Sequence, residues 1–141
     1  MKDRQIGILL VEDDEVDVMN VQRAFSKCSI TNPLHIANNG LEALAMLRAD
    51  GPDRLRPFPK LVLLDINMPK MNGIEFLAQL RADPTLRTLS VIMLTTSNEE
   101  RDKVAAYNLN VAGYIIKPVK LEDFMATMSA LDGYWSLNEL P

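Results

Sequence analysis

The sequence predicts an α/β fold, a doubly wound domain in which a five-stranded parallel sheet is covered by helices on both faces. Three observations carry this reading. Four short apolar runs, Ile8-Leu9-Leu10-Val11, Leu61-Val62-Leu63-Leu64, Val91-Ile92-Met93-Leu94 and Gly113-Tyr114-Ile115-Ile116, do not alternate with polar residues. A strand buried on both faces reads this way, and a parallel sheet between two helix layers supplies such strands. The segments between the runs carry apolar residues at helical spacing, and runs and stripes follow one another in strict alternation.

Taken in order, Ile8–Val11 is the first strand, and Val18, Val21, Phe25 and Cys28 form the stripe of the first helix. Leu34-His35-Ile36-Ala37 is a weaker run, expected as a strand nearer an edge. Asn39-Gly40 could mark a hairpin, but the stripe Leu41, Ala43, Leu44, Leu47 begins directly behind it, so Asn38 or Asn39 is read as a helix cap. Gly51 to Pro59 holds one glycine and three of the eight prolines and is expected to be a loop within the domain. Ile74, Phe76, Leu77 and Leu80 stripe the third helix. Ser97-x-x-Glu100 reads as a capping box opening a fourth helix, expected from Asn98 to Tyr107. Leu121, Phe124, Met125, Met128 and Leu131 give the clearest stripe, and Gly133 stands where that last helix should stop.

Composition narrows the function. A chain of 141 residues has room for one domain, expected to have a core over about 6–133, a tail over 134–141 and no output domain. Hydrophobic residues at 48% and charged residues at 24% suit a soluble fold that needs no disulfide or metal staple. Cys28 is the only cysteine, which fits a reducing, cytoplasmic setting. Its place at the end of a helical stripe argues against a reactive thiol, and the methionines read as core filler. The longest apolar runs are far too short for a membrane span. A net charge of −4 argues against a nucleic-acid surface. Removing Glu12, Asp13, Asp14 and Asp65 would bring that charge to zero, so these acids need a reason.

Four strands end in polar residues at one topological level: Glu12-Asp13, Asp65, Thr95 and Lys117. In open α/β sheets, ligands bind at the carboxyl ends of the strands. Acids converging there repel and raise one another's pKa unless a cation neutralises them. Oxygen donors without His or Cys call for a hard ion, Mg²⁺ first. With an ammonium and a hydroxyl beside them, they form an electrostatic clamp for a phosphoryl group, one carboxylate being available as nucleophile.

Val11-Glu12-Asp13-Asp14, Leu64-Asp65-Ile66-Asn67-Met68-Pro69-x-Met71-x-Gly73, Leu94-Thr95-Thr96 and Gly113-Tyr114-x-x-Lys117-Pro118 together resemble the receiver domain of two-component response regulators. The resemblance covers essentially the whole chain and implies the flavodoxin-like strand order 2-1-3-4-5. It implies that Asp65 accepts a phosphoryl group from the phospho-histidine of a sensor histidine kinase and passes the signal to a downstream protein target. Asp13, Asp65 and the backbone carbonyl of Asn67 would hold Mg²⁺, with Glu12 acting through water and the Asn67 side chain left to line the pocket. Thr95 and Lys117 would stabilise the phosphoryl group, Thr95 and Tyr114 would form the switch, and Lys117-Pro118 would be a cis-proline turn. Thr96 departs from the family, which usually carries a smaller residue there, and would narrow the pocket mouth. The long loop before Leu61 and the segment Tyr134-Trp135-x-Leu137-Asn138-Glu139-Leu140-Pro141 resemble the single-domain receivers that partner phytochrome kinases.

Plainer readings apply to some residues. Residues 12–17 hold five acids, and complementing a helix dipole accounts for Glu15 and Asp17 and extends to Asp14. His35, away from the acids, reads as structural or surface. The leading function is a phosphoryl-accepting switch rather than an enzyme. The alternative is a phosphorylation-independent adaptor, against which the intact Asp13, Asp65 and Lys117 argue. A metal-dependent hydrolase lacks an Asp two residues beyond Asp65, where Asn67 stands, and no phosphate-binding glycine loop follows any strand. The expected partner surface spans the helix over 98–107, the strand ending at Lys117 and the helix over 121–131. A homodimer through this face is expected.

Overall fold

Five parallel strands form one sheet in the order β2-β1-β3-β4-β5: β1 (Gly7–Val11), β2 (Leu34–Ala37), β3 (Pro59–Leu64), β4 (Ser90–Thr95) and β5 (Gly113–Ile116). This is a computed structural model, and it describes residues 6–27, 30–96, 98–117, 122, 126 and 127. Four helices connect the strands: α1 (Glu15–Lys27), α2 (Gly40–Arg48), α3 (Gly73–Ala82) and α4 (Glu100–Asn108). The expected doubly wound architecture and strand order are both present.

Side-chain alternation along the strands divides the core in two. Leu9, Val11, Val62, Leu64, Val91 and Met93 face one way, onto Ala43, Leu44 and Leu47 of α2, Phe76, Leu77 and Leu80 of α3 and Ala106 of α4. Ile8, Leu10, Leu61, Leu63, Ile92 and Leu94 face the other way, onto Val21, Ala24 and Phe25 of α1. β1 is buried throughout, whereas the edge strand β2 is mostly half-buried, as its weaker run foretold.

Several boundaries move. Asn39 does cap α2, its side chain accepting from the Glu42 amide. Leu41 is 50% exposed, because Gly40, Ala43, Leu44 and Leu47 already fill the inward face and Leu41 lies one residue off it. The proline-rich loop contains a turn of 3-10 helix over Gly51–Asp53, and Pro59 is already strand. A proline is tolerated there because it is the first residue of the strand. α4 starts at Glu100, two residues later than expected. Its N-cap is Glu99, with no side-chain cap bond, so Glu100 stands at the first helical position rather than the third, where a capping box needs it. Ser97, Cys28, the Lys117-Pro118 peptide bond and most of the expected last helix lie outside the described residues. Among the described residues the cis peptide bond is Arg56–Pro57.

Candidate functional site

Strand register sets the level of each polar side chain. Val11 pairs with Leu64, Leu64 with Met93 and Met93 with Tyr114, while Thr95 pairs with Ile116. Glu12 and Asp65 therefore stand one step past a common row, and Thr95 and Lys117 two and three steps past it. By the two-residue period, Glu12, Asp65 and Lys117 continue the face covered by α1. Thr95 and Tyr114 continue the opposite face, covered by α3 and α4.

The loop after β3 is held close. The Gly73 amide donates to the Ile66 carbonyl at 2.9 Å. A Cβ at Gly73 would lie 2.2 Å from the Asp65 carbonyl oxygen, so only glycine lets α3 start against the Asp65 backbone. α3 then opens on a full capping box, Asn72 with Glu75. On the other side, Asp14 Oδ1 accepts from the amides of Val16 at 2.8 Å and Asp17 at 3.3 Å, capping α1. The Asp14 amide donates to Glu12 Oε2 at 3.2 Å.

The carboxylates of Glu12, Asp13 and Asp65 each bring an oxygen within 4.8 Å of the others. Glu12 and Asp65 are buried, and Asp13 is exposed. Lys117 Nζ reaches this cluster with its side chain only 7% exposed. It donates to Glu12 Oε1 at 2.6 Å and to Asp17 Oδ2 at 2.7 Å, and stands 3.5 Å from Asp65 Oδ2. Burial drives the Glu12 carboxyl up to about 7, the Lys117 hydrogen bond opposing and the Asp65 charge adding to the rise. Burial alone would pull the Lys117 pKa down, but its hydrogen bonds to Asp17 and Glu12 outweigh that and hold it above its ordinary value. One ammonium thus serves several carboxylates, and the oxygen-only donor set fits a hard divalent cation.

The expected residues Glu12, Asp13, Asp65 and Lys117 do converge. Thr95 is fully buried at the end of β4. Asn67 is exposed, and its amide proton points back to Asp65 Oδ1 at 3.4 Å. Its side chain does not simply line the pocket: Nδ2 donates to Thr96 Oγ1 at 3.3 Å, tying the β3 loop to the end of β4. Thr96 thus has a local partner as well as bulk. Tyr114 is half-buried, stacked on Tyr107 at 6.4 Å, with Lys103 Nζ 6.0 Å from its ring centroid. His35 lies on β2 away from the acids, its Nε2 buried without a hydrogen-bond partner among the described residues. Asp17, for which the helix dipole alone is a sufficient local reason, also accepts from the site lysine. The available signal was its position four residues before Val21, which puts it on the inward face of α1.

With this geometry in place, the protein class follows: residues 8–129 match the family model for the response regulator receiver domain, and the chain belongs to that family. The family comprises signalling regulators rather than enzymes. Among individual proteins, response regulator Rcp1 of Synechocystis sp. is 38% identical over 128 residues, 91% of this chain and 87% of its own. The crystal structure of the phosphorylated cyanobacterial phytochrome response regulator RcpA matches with a TM-score of 0.78 at 33% identity, covering 97% of this chain and 98% of that one. The Mn²⁺-bound form of Rcp1 matches with a TM-score of 0.76 at 36% identity, covering 96% and 97%. Among the described residues no helix is long and apolar enough to cross a membrane.

Proposed function

We propose that this chain acts as a receiver that accepts one phosphoryl group on Asp65 in a Mg²⁺-dependent reaction. The observation that carries this reading is the convergence of Glu12, Asp13 and Asp65, within 4.8 Å of one another, beside a single buried ammonium. A Asp65 carboxylate oxygen attacks phosphorus, the nitrogen–phosphorus bond of the donor phospho-histidine breaks, and the imidazole leaves with the electron pair. Asp13, Asp65 and the Asn67 carbonyl would hold the metal, with Glu12 beside it acting through water. When bound, Mg²⁺ supplies positive charge to the acid cluster and the transferred oxygens. Lys117 and Thr95 hold the phosphoryl oxygens.

The donor in this reading is a sensor histidine kinase of the phytochrome type, which similarity to Rcp1 and RcpA supports, and the reaction takes place in the cytoplasm. The phosphoryl group draws the Thr95 hydroxyl inward by a charge-assisted hydrogen bond. Tyr114, on the same face, then leaves its stack on Tyr107, and α4 follows. The switched surface comprises α4, β5 and residues 121–131, and its partners are a downstream protein and a second copy of this chain. Light scattering of the phosphorylated protein decides the dimer; a monomer removes it and leaves the switch. The central test is incubation with acetyl phosphate and Mg²⁺. Mass spectrometry should find one added phosphoryl group on the wild type and none on Asp65→Asn. Equal modification of the Asn variant would overturn the assignment.

A further inference from the structure

Lys117 is held from two sides, and neither is the side of the proposed phosphoryl acceptor. An ammonium carries three N–H donors. One goes to Glu12 at the end of β1 and one to Asp17 on α1, at 2.6 and 2.7 Å, both short charge-assisted hydrogen bonds. The distance to Asp65 Oδ2 is 3.5 Å, an ion pair longer than an ordinary hydrogen bond. Asp17 has a firm footing: its amide is capped by Asp14, and it stands one helical turn before Val21, which is buried in the α1 core.

An ammonium drawn closer to a carboxylate occupies one of its acceptor sites and offsets the negative charge that attracts a divalent cation. Lys117 already forms an ion pair with Asp65 at 3.5 Å, and its two shorter bonds to Glu12 and Asp17 draw it away from a closer approach. We propose that Asp17 is a positioning residue that holds the Lys117 ammonium off Asp65, keeping the Asp65 carboxylate open to a divalent cation and to a phosphoryl donor. The inference deepens the reading of Asp65 as acceptor and rests on it. Without Asp17, Lys117 keeps Glu12 and loses the bond that draws it toward α1, so its ammonium moves closer to Asp65. Asp17 thus acts on Asp65 only through Lys117.

That dependence gives the test, a double-mutant cycle in the full chain. Mg²⁺ affinity is measured calorimetrically on metal-free wild type, Asp17→Asn, Lys117→Met and the double variant. Initial phosphorylation by acetyl phosphate is followed in the two proteins that keep Lys117. Asp17→Asn should weaken Mg²⁺ binding about fivefold, the size of one partly exposed ion pair, and slow phosphorylation. In the Lys117→Met background the same substitution should leave Mg²⁺ affinity unchanged, because nothing remains to collapse onto Asp65. Asp17→Glu, which keeps the carboxylate, should recover most of the affinity. Equal weakening in both backgrounds means that Asp17 acts by its own charge, and no weakening in either means that it holds nothing; either result overturns the proposal. Loss of the acceptor reading would show separately, as phosphorylation of Asp65→Asn.

Discussion

The two ends of the sheet solve the problem of buried polar groups in opposite ways. At the amino end, Arg81 at the close of α3 donates to the carbonyls of Leu109 and Leu89 at 2.7 Å, Arg87 at 2.8 Å and Asn110 at 3.1 Å. One guanidinium fork satisfies carbonyls from the loops that lead into β4 and β5. At the carboxyl end, Glu12, Asp17 and Asp65 gather around the ammonium of Lys117, and Asp13 adds a further carboxylate beside Glu12 and Asp65. The first arrangement is closed; the second is short of positive charge. The difference shows which end can respond to a ligand. It also divides α4: the residues just past its C-terminal end are tied down through Leu109 and Asn110, while its N-cap Glu99 has no side-chain cap bond. Motion at the site should therefore pivot α4 about its Arg81-tied end.

The largest expected effect lies at the open end. Mg²⁺ at a hundredfold excess over its dissociation constant should stabilise the fold by about 2.7 kcal/mol through linkage alone. For a domain of this size, that is a rise in melting temperature of roughly 5 to 10 °C. Asp13→Ala should lose most of the rise, and no effect of Mg²⁺ on the wild type would remove the asymmetry between the two ends. A smaller effect is expected at the closed end. Arg81→Ala strands partly buried carbonyls and should cost about 2 kcal/mol in urea unfolding, with the Mg²⁺-induced shift unchanged. Arg81→Lys should recover only a minor part, since a single ammonium cannot fork to carbonyls on separate loops. If Arg81→Ala alters Mg²⁺ affinity, the ends are coupled and the comparison breaks.

What could be read in advance follows the same division. β1, β3 and β4 were legible because strands buried on both faces leave unbroken apolar runs, and Asn39 was legible because a side-chain cap is a local device. The start of α4 was not, because Glu99 makes no side-chain bond and Ser97 and Glu100 offered a false frame. Glu12, Asp13, Asp65 and Lys117 stood out as polar residues closing apolar runs. The Lys117–Asp17 pair did not, since it joins residues 100 positions apart and an acid in a first helical turn already has a sufficient local reason in the helix dipole. Arg81 gave no signal at all, because its partners are backbone carbonyls, which every sequence contains.

The smallest predicted effect tests the shortage of positive charge directly. In the metal-free protein the Glu12 carboxyl titrates near 7 rather than at its ordinary 4.5, because burial disfavours its charged form. A group whose pKa is raised by folding stabilises the folded state fully at pH below its unfolded value. That contribution is lost as pH rises through the folded value. Metal-free protein should therefore be more stable at pH 6 than at pH 8, by about 1 kcal/mol from this group. Glu12→Gln cannot ionise and should flatten that slope. Saturating Mg²⁺ should flatten it too, because a cation beside the carboxylate supplies the neutralisation that the proton supplied. Urea unfolding at the two pH values, with and without Mg²⁺, measures all of these. If the metal-free wild type and Glu12→Gln share one slope, Glu12 is already neutralised by Lys117, and the open end of the sheet is less open than its geometry indicates.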